Sequence, residues 1–516
     1  MLDFTTTSPT RSETVSAFSA QTPFQRLQRQ MSAQFRDLWT DPLRPRVVVV
    51  VPSITLDETL SAHLPGDIHY EERLLCLLML LRQPRTRLIY VSSLPIAPAI
   101  VDYYLHLLPG VPGAHARKRL TLLNCHDTSA RPLTRKILER PRLMERIRQE
   151  LSEEAPAHLT CYNVTELEAQ LSVELGIPLY GCDPALLPLG SKSGSRQLFR
   201  EAGVPLPDGS EDLFSENEVI DALAALKRRQ PTLRKAVVKL NEGFSGKGNA
   251  TVSLSDAPTD EQLTDWLRQE LPHRLRLVDH ELTYETFFAQ LKSMGGIVEA
   301  FIDGGRKTSP SVQCRIDPLG GVSVISTHDQ ILDEETGQEY LGCRFPADAA
   351  YHRDLAEAGH RIASRLRERG VLGRFGVDFM SVQQADGSWK SFAIEINLRK
   401  GGTTHPFLLL QFLTDGQYNP EKGEFELPKG GHLHYFASDN LHSERYRGLT
   451  PDDLMDILVL HALHYDSTVQ EGVVFHMMGA LSEFGKLGVT AIAHTPERAY
   501  ALYERVVEVL NGEVLD

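Results

Sequence analysis

The feature that most constrains the fold is a regular alternation of apolar runs and helix-like runs between residues 46 and 190. The first run, RVVVVV at Arg46–Val51, is typical of a strand buried on both faces. Helical patterns, one of them over about 134–150, alternate with further strand-like runs at 87–93, 119–125, 158–164 and 177–181. Such alternation builds a parallel sheet. We therefore predict a Rossmann-like α/β region, without the GxGxxG of a dinucleotide site.

Composition narrows the classes of function. The 516 residues carry 41% hydrophobic and 24% charged side chains and a formal net charge of −14, which opposes general binding to nucleic acid. No apolar run reaches the roughly 20 residues of a membrane helix, and the amino terminus lacks the pattern of a secretory signal. The six cysteines include no CxxC pair, so we predict single reduced core cysteines in a cytoplasmic protein rather than a cysteine zinc site.

A glycine-rich loop, NEGFSGKGN at 241–249, follows the apolar strand KAVVKL at Lys235–Leu240. Small residues let backbone N–H groups approach phosphate oxygens closely, but a Walker motif would have Ser or Thr after its lysine. On its own, the loop is equally well explained as a flexible hairpin. Lys239 interrupts the strand just before the loop, and a buried ammonium needs a partner such as a nucleotide phosphate. The alternative is a solvent-facing lysine on an edge strand.

Acidic side chains interrupt two later apolar strands. Asp378 lies in RFGVDFM, and Glu395 and Asn397 lie in SFAIEIN, where residues two apart share a face. If these strands pair across a turn at 384–388, Asp378 joins the other two, and two carboxylates with an amide oxygen suit Mg²⁺. A solvated strand face explains any one of the three but fits all of them poorly. Arg399, two residues further on, can hold a phosphate or a developing oxyanion.

The order of these pieces resembles the ATP-grasp superfamily. The pieces are GSK at 190–192, VVK before the glycine-rich loop, VEAFI at 298–302, GVDF at 376–379 and EINLR at 395–399. The resemblance covers roughly residues 190–405, and the preceding α/β region is similar to the pre-ATP-grasp domain of such proteins.

The resemblance implies an α/β and α+β fold in which a Rossmann-like pre-ATP-grasp domain at 46–190 precedes a two-lobed ATP-grasp domain with antiparallel sheets at 191–405. The lid lobe would cover about 191–300 and the metal-binding lobe about 301–405. An N-terminal arm at 1–45 and a C-terminal α/β extension at 406–516 complete the expected organisation.

On the nucleotide side, the resemblance implies two lysines, a closing loop and a hinge strand. The lysines that contact the nucleotide would be Lys192 and, at the phosphates, Lys239. The closing loop would contain Ser245 and Gly246, and the adenine-reading hinge would consist of Glu299, Ala300, Phe301 and Ile302. Family members often have an acidic ribose contact seven residues after the hinge glutamate, where this chain has Arg306, so Asp303 is the expected substitute.

On the metal side, the resemblance implies that Asp378, Glu395 and Asn397 hold the cation. The expected cofactors are ATP and two Mg²⁺ ions, with Mn²⁺ as a substitute. Arg399 matches the arginine beside the transferred phosphoryl group, so Arg399 and Lys239 are the predicted catalytic residues. The motifs identify no general base, and His405, His328 and Asp329 are candidates by position alone.

Within the superfamily, the chain looks most similar to peptide ligases of the pheganomycin-biosynthesis type. This implies an ATP-dependent carboxylate–amine ligase that forms an amide or peptide bond through an acyl phosphate and releases ADP and phosphate. Its partners would be a small-molecule carboxylate and an amine or peptide, with no nucleic acid and no membrane, and a homodimer is one option. The alternatives are an ATP-grasp enzyme with another acceptor, which makes a thioester or transfers phosphate, and a non-catalytic ATP-binding regulatory protein.

Overall fold

The computed structural model describes residues 22–41, 43–55, 66–151, 155–243, 248–279, 282–333 and 340–514. Among them, no helix combines the length and the apolar character that crossing a membrane requires. Much of the predicted N-terminal arm lies outside the described residues. Its described part is a helix, Pro23–Thr40, which begins with a capping box at Thr22 and has proline at its start.

The predicted parallel sheet is present in the first region. Its strands lie in the order β3-β2-β1-β4: β1 Arg46–Val51, β2 Thr86–Ser92, β3 Leu120–Asn124 and β4 Ala157–Cys161. The valines of β1 are all buried, as the continuous β-branched run predicts. The run at 177–181 adds only a single parallel bridge, between Leu179 and Leu159, instead of a full fifth strand.

Helices cover this sheet between its strands. They are a 3₁₀ helix, Asp67–Arg82, and the α-helices Pro98–His106, Gly113–Arg117, Leu133–Leu138, Pro141–Glu150 and Glu166–Leu175. The single helix predicted over about 134–150 is wrong, because the chain forms two helices there. Pro141 has no N–H group to continue the first helix, and it occupies the first turn of the second.

The second sheet has five antiparallel strands in the order β5-β9-β6-β7-β8. They are β5 Gly209–Leu213, β6 Lys235–Leu240, β7 Asn249–Ser253, β8 Leu275–Leu277 and β9 Gly296–Ala300. The α-helices of this region are Lys192–Glu201, Glu216–Arg229, Leu263–Arg274 and Tyr284–Met294. Alternate β6 residues, Val238 among them, join the hydrophobic core with the last three helices. Lys239 therefore lies on the opposite face of this sheet.

The third sheet has eight antiparallel strands in the order β14-β13-β10-β11-β12-β17-β19-β18. They are β10 Lys307–Ile316, β11 Val322–Leu332, β12 Tyr340–Phe345, β13 Gly373–Gln383, β14 Trp389–Asn397, β17 His434–His442, β18 Gly472–His476 and β19 Lys486–Ala493. A separate hairpin consists of β15 Gln417–Asn419 and β16 Glu424–Glu426. Three strands of the large sheet thus come from beyond residue 405, so the C-terminal region continues the sheet that carries Asp378.

The remaining helices pack around the large sheet and its connections. The α-helices are His352–Glu368, Thr404–Thr414, Pro451–Leu460, Leu481–Phe484 and Pro496–Glu513. Shorter 3₁₀ helices occur at Pro184–Gly190, Glu444–Gly448 and Met478–Ala480. The division into domains at 190 and 405 stays a prediction.

The helix Lys192–Glu201 packs directly against β14, and this contact positions the site. Ile396 N–H donates to Ser195 Oγ at 3.0 Å. A Cβ atom at Gly190 would come within 3.1 Å of the Ile396 carbonyl oxygen, which is closer than most side chains pack, so glycine suits this approach. Phe199 is fully buried in the core that the helix shares with Ile396, and such a side chain contributes about 1.5–3 kcal/mol.

Candidate functional site

The β13–β14 hairpin brings together Asp378, Glu395 and Asn397, as their strand spacing predicts. We call these two carboxylates and one amide the acidic trio. Asp378 is the cross-strand partner of Glu395, and Asn397 Nδ2 donates to Asp378 Oδ2 at 2.9 Å. The ladder shifts register just after Asp378, and such a bulge re-aims the side chains beside it. The predicted turn is also present, since Gln384 N–H donates to the Ser388 carbonyl at 2.7 Å.

The two carboxylates of this acidic trio repel each other in a partly buried setting. Burial, together with the charge of Glu395, raises the pKa of Asp378 to about 6. Gln330, which sequence reasoning missed, donates from Nε2 to Asp378 Oδ1 at 2.8 Å and opposes that rise. The sequence around Gln330 gives no signal for this contact, because Gln330 lies on β11 and Asp378 on β13, with β10 between the two strands.

Lys192 joins the first turn of its helix to the acidic trio. Its Nζ lies 2.8 Å from Glu395 Oε1, and the residue is only 6% exposed. Ser191 caps the helix by accepting from Gly194 N–H, which fixes the start of the helix at Lys192. Glu242, in the glycine-rich loop, also lies close to Lys192. Burial raises the pKa of the Glu242 carboxyl, and the nearby charge of Lys192 opposes part of this rise.

Lys239 has a partner in the structure, and that partner is the predicted hinge glutamate. Lys239 Nζ lies 2.7 Å from Glu299 Oε2, and Arg196 binds the other carboxylate oxygen. Burial disfavours the ionised form of Glu299, but the two cations outweigh this effect and lower its pKa. The reading of Lys239 as a solvent-facing residue is wrong, because its side chain is 12% exposed.

Arg196 is a second residue that sequence reasoning missed. It follows Lys192 by four positions, a spacing that places both on one helix face, and that is the signal by which it could have been found. It is 1% exposed, and it also donates to the Pro207 carbonyl at 3.0 Å and to Glu211 at 3.2 Å.

The rest of the predicted hinge consists of Ala300, the last residue of β9, and of Phe301 and Ile302, which follow the strand. Ala300 N–H donates to the Asp208 carbonyl at 2.7 Å. The ammonium groups of Lys235 and Lys307 lie 4.6 and 4.7 Å from the centroid of the Phe301 ring. Lys307 Nζ also donates to the Ile302 carbonyl at 2.7 Å. Asp303, by contrast, is exposed and accepts from the N–H of Gly304.

The loop after β14 is anchored to the first sheet. Arg399 donates through Nη1 to the Lys400 carbonyl at 3.1 Å, and its charge lowers the pKa of Asp378, which places it near the acidic trio. Lys400, missed by sequence reasoning, is buried and donates to Thr160 Oγ1 at 3.2 Å and to the Cys161 carbonyl at the end of β4. Burial lowers the pKa of Lys400 to about 8. Ser245 and Gly246 lie outside the described residues.

Comparison with known proteins identifies the family. The model of an IQCH-like ATP-grasp domain matches residues 186–272 and 259–421, and that of a PGM1 C-terminal domain matches residues 453–506. The chain is 31% identical over 484 residues to an L-propargylglycine–L-glutamate ligase of Streptantibioticus cattleyicolor, covering 91% of this chain and 95% of that protein. The chain belongs to the ATP-grasp family.

Three further comparisons concern more distant proteins. The chain is 24% identical over 527 residues to IQ motif-containing protein H of Danio rerio, covering 91% of this chain but only 48% of that longer protein. A crystal structure of a biotin carboxylase–ATP-analogue complex from Campylobacter jejuni has a TM-score of 0.51 at 14% identity, covering 89% of this chain and 90% of that chain. A biotin carboxylase domain dimer from Hydrogenobacter thermophilus, crystallised with MgADP and bicarbonate, has a TM-score of 0.51 at 12% identity, covering 90% of this chain and 89% of that chain.

These findings confirm the predicted ATP-grasp fold, the class of ATP-grasp ligase and the use of ATP and Mg²⁺. The roles of the individual residues stay predictions. The acidic trio of this ATP-grasp protein fits a divalent cation, because a cation between Asp378 and Glu395 would relieve the repulsion that raises the pKa of Asp378.

The pKa of Asp378 predicts how Mg²⁺-nucleotide binding depends on pH. Above about 6 the carboxyl is ionised and can bind the cation, whereas below it the proton competes with the metal. We expect the affinity for MgADP to be constant near neutrality and to fall as pH drops through about 6, towards a tenfold loss per pH unit. Titration calorimetry across this range measures it, and an affinity that stays constant well below pH 6 would contradict the assignment.

All three positional candidates for the general base have partners in the structure. His328 Nε2 lies 2.7 Å from the Tyr435 hydroxyl, and burial lowers the pKa of this imidazole to about 3. Asp329 accepts from the Tyr351 hydroxyl at 2.7 Å. His405, the third, is buried in a separate polar cluster. These contacts do not favour His328 or Asp329 as the base.

Proposed function

We propose that this ATP-grasp ligase joins the carboxylate of one amino acid or amino-acid derivative to the amine of another amino acid or a peptide, forming an amide bond with release of ADP and phosphate. Similarity to the L-propargylglycine–L-glutamate ligase, over 95% of its length, supports amino-acid substrates. The observation that carries the proposal is the 2.8 Å contact of Lys192 with Glu395, which joins the helix preceding the five-stranded sheet to the acidic trio of the large sheet.

Activation of the carboxylate is the step that this site would perform. A carboxylate has no good leaving group, so direct amide formation is slow, and transfer of a phosphoryl group from ATP supplies one. Lys239 and Arg399 would offset the negative charge on the transferring phosphoryl oxygens. Mg²⁺, when bound, neutralises charge on the nucleotide phosphates. An amine then attacks the acyl phosphate, and phosphate leaves.

Water must be kept from the acyl phosphate, because hydrolysis would waste it. The loop over residues 243–248 is the lid that the family resemblance predicts, although residues 244–247 lie outside the described part of the chain. Gly248 has a φ of 89°, a left-handed conformation that favours glycine at the return into β7. The proposal also includes a cytosolic location, which the six unpaired, buried cysteines support, and a homodimer.

A phosphate-release screen of amino acids paired with amines and short peptides tests this function. We expect ADP and phosphate in equal amounts with certain pairs, and little of either when the carboxylate or the amine is left out. Mass spectrometry of the product would show an amide that has lost one water relative to its two substrates.

Three outcomes of the screen would contradict the proposal. Phosphate release that requires a thiol in place of the amine indicates a thioester-forming enzyme. ADP without free phosphate indicates phosphate transfer to a stable acceptor. Binding of MgATP without turnover for every pair indicates a nucleotide-binding regulatory protein.

A further inference from the structure

A second cluster of ligand-type side chains lies outside the nucleotide site. His405 is in the first turn of the helix Thr404–Thr414, Asp439 is in β17, and His476 ends β18. Their exposures are 3%, 4% and 2%. Residues that are distant in the sequence therefore bring two imidazoles and a carboxylate into one buried place, which we call the His–Asp–His cluster.

The ligand atoms of the His–Asp–His cluster converge as a triangle. His405 Nε2 lies 2.9 Å from His476 Nε2 and 3.1 Å from Asp439 Oδ1, and His476 Nε2 lies 2.7 Å from the same oxygen. Ligands at right angles around a metal ion at about 2.1 Å are about 3 Å apart, so the triangle matches one face of an octahedral site. Within the described residues, the Nδ1 atoms of both rings have no hydrogen-bond partner, so each ring makes its polar contacts through Nε2.

Hydrogen bonds alone fit this triangle poorly. If both Nε2 atoms carry protons, the two N–H groups face each other across 2.9 Å. If only one carries a proton, the lone pair of the other nitrogen faces the carboxylate oxygen, with no donor between them. A cation at the centre would be met by a lone pair from each of the three atoms.

The orientation of the rings favours a shared centre over a direct bond. The ring centroids of His405 and His476 are 4.3 Å apart, with planes inclined at 65°. Two imidazoles bound at right angles to one ion at about 2.1 Å would have centroids about 4.5 Å apart, whereas a linear N–H···N bond would place them about 5 Å apart.

The surroundings hold the cluster in place. Arg73 Nη2 lies 2.6 Å from Asp439 Oδ2, which orients the carboxylate and leaves Oδ1 towards the histidines. A Cβ atom at Gly488 would lie 2.2 Å from the His476 ring, so this imidazole lies closer to the backbone of β19 than a side chain at position 488 would allow.

We propose that His405, Asp439 and His476 bind a divalent transition-metal ion as three ligands of an octahedral site. Zn²⁺, which has no geometric preference from its d electrons, is the probe ion. Imidazole nitrogens with a carboxylate suit such ions better than Mg²⁺, which prefers oxygen ligands. The ion would be structural. It would tie the helix Thr404–Thr414, which begins five residues after Arg399, to β17 and β18, and so fix the loop that carries this arginine.

Metal analysis of the 516-residue chain, purified without a histidine tag, tests the proposal. After dialysis against metal-free buffer we expect about one equivalent of Zn²⁺ or another transition metal per chain. His476→Gln and Asp439→Asn should each lose most of it. His432→Gln, which alters an exposed histidine, and Glu395→Gln, which alters the acidic trio, should keep it.

Thermal unfolding of the wild-type protein gives a second readout that does not depend on any variant folding. A strong chelator should lower the melting temperature by several degrees, and added Zn²⁺ should restore it. Wild-type protein that holds only traces of metal after growth in zinc-supplemented medium, and whose melting temperature neither chelator nor Zn²⁺ changes, would overturn the proposal. A proton shared among the three side chains would then account for the triangle.

Discussion

Replacing Glu395 by glutamine is expected to lower amine-dependent phosphate release by about a thousandfold or more. Glu395 is both the partner of Lys192, at 2.8 Å, and the charged neighbour of Asp378. Glutamine keeps the size of the side chain but removes one of the negative charges predicted to bind the cation. It also removes the carboxylate that lies 2.8 Å from the ammonium of Lys192. The fold should survive, because the Glu395 side chain is 27% exposed.

The matched control is Glu357→Gln, the same chemical change on the exposed face of the helix His352–Glu368. Glu357 is 68% exposed, and its nearest charged contact is Arg353 at 3.7 Å, so activity should stay within about twofold of wild type. A further signature should appear in Glu395→Gln. Without the charge of Glu395, the pKa of Asp378 should fall, and the pH below which MgADP binding weakens should fall with it. A Glu395→Gln enzyme with near-normal turnover would remove Glu395 from the site.

Arg399→Ala is expected to lower kcat by about 10²- to 10³-fold with little change in the KM for ATP. Within the described residues, its guanidinium makes one hydrogen bond, from Nη1 to the Lys400 carbonyl, so other N–H donors remain for a ligand. Its charge already acts on Asp378. A group that acts on charge as it develops lowers the barrier without adding ground-state affinity, and this predicts the split between kcat and KM.

Arg353→Ala, on a 69% exposed side chain, is the control for loss of an arginine. Circular dichroism and thermal unfolding should show Arg399→Ala folded as the wild type is. A rise in the KM for ATP at unchanged kcat would instead assign Arg399 to ground-state binding of the nucleotide. No effect on either constant would show that the loop serves only to connect β14 to the following helix.

Local patterns predicted much of this structure. The β-branched run at Arg46–Val51 is a buried strand, and local signals mark both ends of the helix Glu166–Leu175, since a capping box starts it and Gly176 ends it. The β13–β14 hairpin and the pairing of Asp378 with Glu395 also follow from strand periodicity and a turn signal. Each of these depends on residues that are close in the chain, where sequence and geometry are directly linked.

Contacts between distant segments could not be predicted in this way. Gln330 reaches Asp378 from β11, Lys400 reaches Cys161, and nothing in the neighbouring residues marks either of them. The pairing of Lys239 with Glu299 depends on the order of strands in the five-stranded sheet, which hydrophobic periodicity does not encode. The same holds for the His–Asp–His cluster, because helix and strand packing alone brings its three members together.

The most direct test of the central claim, that this enzyme activates a carboxylate as an acyl phosphate, is an isotope-transfer measurement. The carboxylate substrate found in the screen is labelled with oxygen-18 at both carboxylate oxygens and turned over with ATP and the amine, and the released phosphate is examined by mass spectrometry. The acyl phosphate route predicts that each phosphate carries one labelled oxygen, because the bond that breaks when the amine attacks leaves the carboxylate oxygen on phosphorus. Unlabelled phosphate accompanying amide formation would contradict it.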